Sequence, residues 1–215
     1  MSAPEVTVID YGVGNLLSVQ RGLEHCGAVV TLTSDPAAIR ASSKVVLPGV
    51  GAFRDAMQAL RRLALTDTIR EVAHRGTPFL GICLGMQLLL DVGEEFGESS
   101  GLELIPGRVV PMPPHASSGE PLKIPHIGWN ALIQDGLAQS WNDTLLQDNR
   151  PGEAVYFVHS FMAMPTNASH RLAACLYGDH RISAVIAKDN IIGCQFHPEK
   201  SGEAGLKMLR RFCAN

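Results

Sequence analysis

The sequence predicts an α/β fold: a central, mostly parallel, doubly wound sheet with flanking helices, joined to a strand-rich second half. Two observations carry that expectation. Over residues 5–90, short apolar strands alternate with helical patterns, which calls for right-handed crossovers and a parallel sheet. From about Leu104 onward, LIPGRVV, HIGWNAL, AVYFVHSF, RLAACLY and ISAVIAKDNIIGCQF read as strands. Helical signal returns only at Gly202 to Cys213, where Leu206, Leu209 and Phe212 share a side. The second half is therefore expected to return and cover the first.

The elements follow in order. Glu5 to Asp10 (EVTVID) is a strand apolar on both faces. The turn Tyr11 to Asn15 opens a helix with Leu16, Val19 and Leu23 on one side, closed by Gly27. Val29 to Thr33 is a second strand, and Asp35-Pro36 supplies the cap and first-position proline of a short helix. Lys44 to Leu47 is a third strand, ending in Pro48-Gly49-Val50-Gly51. Helical patterns cover Arg54 to Leu63 and Thr66 to Arg75, before the buried strand Phe79 to Ile82. Asp189-Asn190 reads as a hairpin turn, and Pro111 to Lys123, rich in Pro, Ser and Gly, as a surface loop. Ligands of such sheets bind beyond the carboxyl ends of the strands, where Tyr11, Gly49 and Cys83 would lie.

Bulk properties narrow the function. With 46% hydrophobic and 18% charged residues and no linker between halves, residues 1–215 read as one domain. A net charge of −3 without a Lys/Arg cluster argues against nucleic acid. The longest apolar run, around Phe79 to Leu90, is too short to span a bilayer and contains Gln87, and no cationic-then-apolar leader opens the chain. Cys26, Cys83, Cys175, Cys194 and Cys213 are odd in number, lack C-x-x-C pairing and lie mostly in apolar surroundings. They point away from disulfides and a metal site, and toward a reducing, cytoplasmic setting.

The chemistry concentrates at Gly81-Ile82-Cys83-Leu84-Gly85. A strand ends and a helix, Leu84 to Leu90, begins, so Cys83 stands on the corner of a nucleophile elbow whose glycines tolerate the strained, tight turn. The helix start offers the Leu84 N–H and favours a thiolate. A cysteine in an apolar run is usually inert core, so the motif needs a base, an orienting carboxylate and oxyanion donors. GCQFHPEKS (193–201) holds the first two. Pro198 keeps His197 extended, and residues two apart in an extended segment project together, setting Glu199 beside the ring. A carboxylate there fixes the tautomer and stabilises the imidazolium. The order Cys, His, Glu differs from the Ser, Asp, His order of α/β-hydrolases. Gly12-x-Gly14 lacks the third glycine of a dinucleotide fingerprint, Leu17 standing in its place. In Pro48-Gly49-Val50-Gly51, two glycines around a β-branched residue either let a peptide plane turn over and aim N–H groups at an anion, or form an ordinary strand-end turn.

Together PGVGAF, GICLGMQ and QFHPEKS resemble the triad (class I) glutamine amidotransferases. DYGVGNLLSV, PHIGWN and YFVHSF narrow the resemblance to the glutaminase subunits of imidazole glycerol phosphate synthase, of histidine biosynthesis. It covers nearly the whole chain and implies a flavodoxin-like sheet, glutamine as substrate, and no cofactor or metal. It implies that Cys83 attacks the side-chain amide, with His197 as base and then acid and Glu199 as its orienter. Backbone N–H groups of the Gly49, Val50, Gly51 loop and of Leu84 would hold the oxyanion. Gln87 and Ser160 would contact glutamine, whereas His159 reads as structural and Phe157 and Phe161 as core. The resemblance also implies a heterodimer with a (β/α)8-barrel cyclase that receives ammonia through a channel. Trp129 and Lys200 would stand at that interface, with a core tryptophan and a solvated lysine as the open alternatives. The rival readings are a glutaminase of the same fold serving another synthase, such as that of pyridoxal phosphate, a non-catalytic regulatory module that kept the fold, against which intact Cys83, His197 and Glu199 argue, and a cysteine peptidase or hydrolase on a similar sheet. Pro111 to Lys123 and Gln134 to Gly152 match nothing.

Overall fold

The computed structural model describes residues 3–134 and 140–214. The main sheet has eight strands: β1 (Glu5–Ile9), β2 (Val29–Thr33), β3 (Val45–Leu47), β4 (Phe79–Ile82), β5 (Ile133–Gln134), β6 (Arg171–Tyr177), β7 (His180–Lys188) and β8 (Ile191–Cys194). Their spatial order is β2-β1-β3-β4-β8-β7-β6-β5. The pairs from β2 to β8 are parallel and those from β8 to β5 antiparallel. The helices are α1 (Leu16–His25), α2 (Pro36–Ala41), α3 (Phe53–Arg62), α4 (Leu65–His74), α5 (Leu84–Leu88) and α6 (Gly202–Ala214).

The second half extends the sheet, where the sequence suggested only a cover. The reason lies in β4, whose four residues FLGI are all buried and need a neighbour on either side. β3 fills one side and β8 the other, in parallel, with Cys194 opposite Ile82. That pairing makes the chain leave β8 at the same edge where it leaves β4. Residues 195–197 thus arrive beside Cys83, whose N–H donates to the Cys194 carbonyl at 2.7 Å.

Period-two alternation divides the core between the two faces. Val6, Val8, Val46, Leu80 and Ile82 join a cluster with Val19 and Leu23 of α1 and Leu209 and Phe212 of α6. Ile9, Val45, Leu47 and Phe79 join another with the buried sides of α3 and α4. Two smaller sheets complete the second half. His126–Ala131 pairs antiparallel with Ala154–His159, while Phe161–Pro165, Gly107–Pro111, Val92–Gly93 and Ser99–Ser100 form a four-stranded sheet. AVYFVHSF is therefore two strands, broken at Ser160 because each part pairs in a different sheet. The loop Pro111 to Lys123 is largely exposed, with Met112 buried. In Gln134 to Gly152, residues 135–139 lie outside the described residues; beyond them Trp141 is buried and its indole N–H donates to the Leu172 carbonyl at 3.0 Å. Among the described residues no helix is long and apolar enough to cross a membrane.

Candidate active site

Cys83 occupies the corner between β4 and α5 with φ 55° and ψ −111°, a conformation L-residues rarely adopt. The strain is thus carried by the cysteine, and the flanking glycines serve packing instead. A Cβ on Gly85 would lie 1.8 Å from the Leu47 carbonyl oxygen, and one on Gly81 would lie 2.7 Å from that of Gly85. α5 stops at Leu88, short of the expected Leu90, because Leu102, Leu104 and Ile105 N–H groups take the Leu88 and Leu89 carbonyls. Cys83 is 6% exposed. Burial pushes the Cys175 and Cys213 thiols up to about 12 and about 11, and the Cys194 thiol higher still. Those three stay protonated and unreactive.

His197 keeps the extended backbone expected before proline, with φ −98° and ψ 99°. Glu199, however, is carried by a 3₁₀ turn, Pro198–Lys200, and not by a continuing extended segment. The turn still sets its Oε1 2.8 Å from His197 Nδ1, with both side chains almost fully buried. Nδ1–H must donate to the carboxylate, which leaves Nε2 as the nitrogen for Cys83; Nε2 is buried and makes no hydrogen bond. Burial alone would lower the ring's pKa, but the neighbouring Cys83 thiol group and the Glu199 carboxylate outweigh it and raise it to about 9.

The oxyanion side is arranged differently. The Leu84 N–H donates to the Gly49 carbonyl at 3.3 Å. Because the Gly49–Val50 peptide is planar and trans, its Val50 N–H points the opposite way. The two donors therefore do not converge. Tyr11, whose phenol burial holds protonated, donates to the Pro48 carbonyl at 2.8 Å and ties this loop to the end of β1.

The model of the class I glutamine amidotransferases matches residues 7–215. Imidazole glycerol phosphate synthase subunit HisH 1 of Legionella pneumophila (strain Paris) is 51% identical over 207 residues, 96% of this chain and 97% of the relative. The HisH subunit of Syntrophotalea carbinolica is 46% identical over 208 residues, 96% and 98% of the two chains. The chain belongs to the HisH family of class I glutamine amidotransferases. A solved structure described as PurLQS from Thermotoga maritima shares the fold, with a TM-score of 0.70 at 20% identity over 100% of this chain and 99% of that one.

In this HisH-family chain a cavity of about 310 Å³ opens over Cys83 and His197. Gln87, Ser160, Val50, Gly51 and Leu84 all line it. Gln87 Nε2 is already committed, donating to the Phe161 carbonyl at 3.1 Å and to Gln195 Oε1 at 3.0 Å, so only its Oε1 remains for a ligand. The Ser160 carbonyl accepts the Met112 N–H at 2.9 Å. His159 is buried, and Phe157 is core. Phe161, expected in the core, is partly buried and packs against the core cluster of α3 and α4 while also lining the cavity. Trp129 is 58% exposed, which removes the core reading, and Lys200 is exposed as well.

Three site residues were not foreseen as such. Gln195 is fully buried with its Nε2 3.9 Å from the Cys83 sulfur. It stands inside the GCQFHPEKS segment, two before His197, so alternation alone could have aimed it at Cys83. Glu95 lines the cavity and accepts the Phe53 N–H at 2.8 Å; no sequence signal distinguished it from other loop acids. Tyr11 was placed at the correct edge but given no role.

Proposed function

We propose that the chain is the glutaminase subunit of an imidazole glycerol phosphate synthase and passes ammonia to a (β/α)8-barrel cyclase for histidine biosynthesis. The observation that carries this reading is the arrangement of His197 with Nδ1 held by buried Glu199 and Nε2 free in the cavity that Cys83 shares. His197 Nε2 takes the Cys83 proton, and the thiolate attacks the amide carbon of glutamine. The tetrahedral oxyanion needs donors, and each is worth about 3–4 kcal/mol of transition-state stabilisation. His197 returns its proton to the departing ammonia, leaving a glutamyl thioester. Water, deprotonated by the same ring, cleaves the thioester to glutamate and regenerates the thiol.

Docking of the liganded cyclase turns over the Gly49–Val50 peptide, which frees the Leu84 N–H and swings the Val50 N–H toward the oxyanion. Trp129 and Lys200 belong to the docking face, where the indole stacks on a cation and the ammonium pairs with a carboxylate. The channel spares ammonia from dilution and protonation in bulk water. Free thiols at all five cysteines suit the cytoplasm. The test is a glutaminase assay with and without the cyclase subunit and its nucleotide ligand. The expected outcome is stimulation of about 10²–10³-fold, the worth of one oxyanion donor. Full hydrolysis by the isolated chain would overturn the peptide-flip mechanism. Absence of hydrolysis even in the liganded complex would overturn the assignment.

A further inference from the structure

PHIGWN leaves two polar residues, His126 and Asn130, without a part in the chemistry above. Both stand on the strand His126–Ala131, and His126 is 3% exposed. Its Nδ1 lies 3.0 Å from His159 Nε2, and His159 Nδ1 lies 2.9 Å from the Phe161 carbonyl oxygen. A carbonyl only accepts, so the protons of the whole chain follow from it. His159 must carry its proton on Nδ1, and its Nε2 therefore accepts. His126 must then donate from Nδ1, so its Nε2 accepts in turn, and Asn130 Nδ2 stands 3.4 Å away to supply that donor. The Phe161 carbonyl also takes Gln87 Nε2, which continues to Gln195 and so to the Cys83 sulfur.

From this geometry we infer that His126 and His159 are positioning residues for glutamine hydrolysis: a one-directional hydrogen-bond chain through the two neutral rings holds the Ser160–Phe161 wall and the Gln87 amide in register over Cys83. The inference rests on the glutaminase reading. Neither ring transfers a proton to substrate. Burial lowers the pKa of both rings to about 4, so the alternating donor and acceptor order persists through neutral pH. A protonated His159 would set two N–H groups against each other across the 3.0 Å link. The chain borders the cavity along the wall formed by Val158, His159, Ser160 and Phe161, whose Val158 carbonyl stands 3.9 Å from the Cys83 sulfur. Loss of that wall's position weakens ground and transition states alike, so it acts on KM more than on kcat.

The His126 ring is also packed, stacked on Phe157 at 4.9 Å and tilted against Tyr177 at 4.1 Å, so packing and hydrogen bonding must be separated. His126→Phe keeps an aromatic ring and removes the donor. His126→Asn loses the ring but keeps an N–H donor near the position of Nδ1. The two variants and the unaltered chain are assayed for glutamine hydrolysis with the cyclase subunit, and their unfolding temperatures are measured. The expected result is a rise in the KM for glutamine of about tenfold in His126→Phe with kcat within about threefold, and recovery of most of that loss in His126→Asn despite its lower unfolding temperature. An unchanged KM in His126→Phe, or a worse KM in His126→Asn, would show a packing residue and overturn the inference. An inactive unaltered chain would instead remove the glutaminase reading, and the inference with it.

Discussion

The two arms of the site stand in different states. On one side, His197 and Glu199 are locked together at 2.8 Å in full burial, ready for proton transfer. On the other, the Gly49 carbonyl occupies the Leu84 N–H that the oxyanion would need. The difference follows from what holds each arm. The acid–base arm is held by side chains packed under α6 and by a proline-started turn, which leaves it one arrangement. The oxyanion arm is the Gly49–Val50 peptide, held by the single long Leu84 N–H bond to the Gly49 carbonyl and by the Tyr11 tether next to it, with Val50 42% exposed. On the proposed mechanism the acid–base arm is therefore already assembled, whereas the oxyanion arm still has to turn.

The largest expected effect removes the proposed nucleophile between the two arms. Cys83→Ala should lower glutamine hydrolysis by roughly 10⁴-fold or more, while the complex keeps its synthesis from free ammonium, since under the proposed function ammonia is used on the partner. Loss of both activities would mean that Cys83 shapes the complex and not only the chemistry. Next comes the locked arm. Glu199→Gln should cost about 10³-fold in kcat, because the ring loses its oriented tautomer. The His197 pKa is raised from 6.5 to about 9, so under the proposed mechanism the imidazolium of the free enzyme is lost above about pH 9 and kcat/KM falls there. Removing the Glu199 charge lowers that pKa, and a pH–rate profile of the variant should show its alkaline limb displaced to lower pH. A limb that stays in place would assign it to another group. By linkage, protonated His197 stabilises the fold fully below pH 6.5, and that contribution fades as pH rises through 9.

The switched arm yields a smaller effect of opposite sign. Tyr11→Phe deletes the 2.8 Å tether to the Pro48 carbonyl and should raise partner-free glutaminase activity about three- to fivefold, with a reduced ratio of stimulation. Steady-state rates in isolation and in complex decide this, and an unchanged ratio would mean that the tether does not restrain the peptide. Smallest is Lys200→Ala, an exposed charge worth about 1 kcal/mol or less. Titration calorimetry should find partner affinity weakened about threefold and its salt dependence reduced. No change in either would remove Lys200 from the docking face.

What the sequence determined by itself is whatever short-range patterning encodes. Apolar alternation and caps such as Asp35-Pro36 marked the elements of the first half, and the Cys83 corner and the His197-Pro198-Glu199 segment were legible because each is local. Tertiary structure alone decided the rest. β8 lies parallel to β4 because a strand buried on both faces takes its partner from wherever the chain can deliver one, and no local pattern announces that register. The same holds for the break at Ser160, set by two different pairing partners, and for the exposure of Trp129. The direction of the Gly49 carbonyl and the chain from Asn130 to Phe161 depend on single hydrogen bonds between segments distant in sequence. Such bonds exist only once packing has brought their donors and acceptors to within about 3 Å.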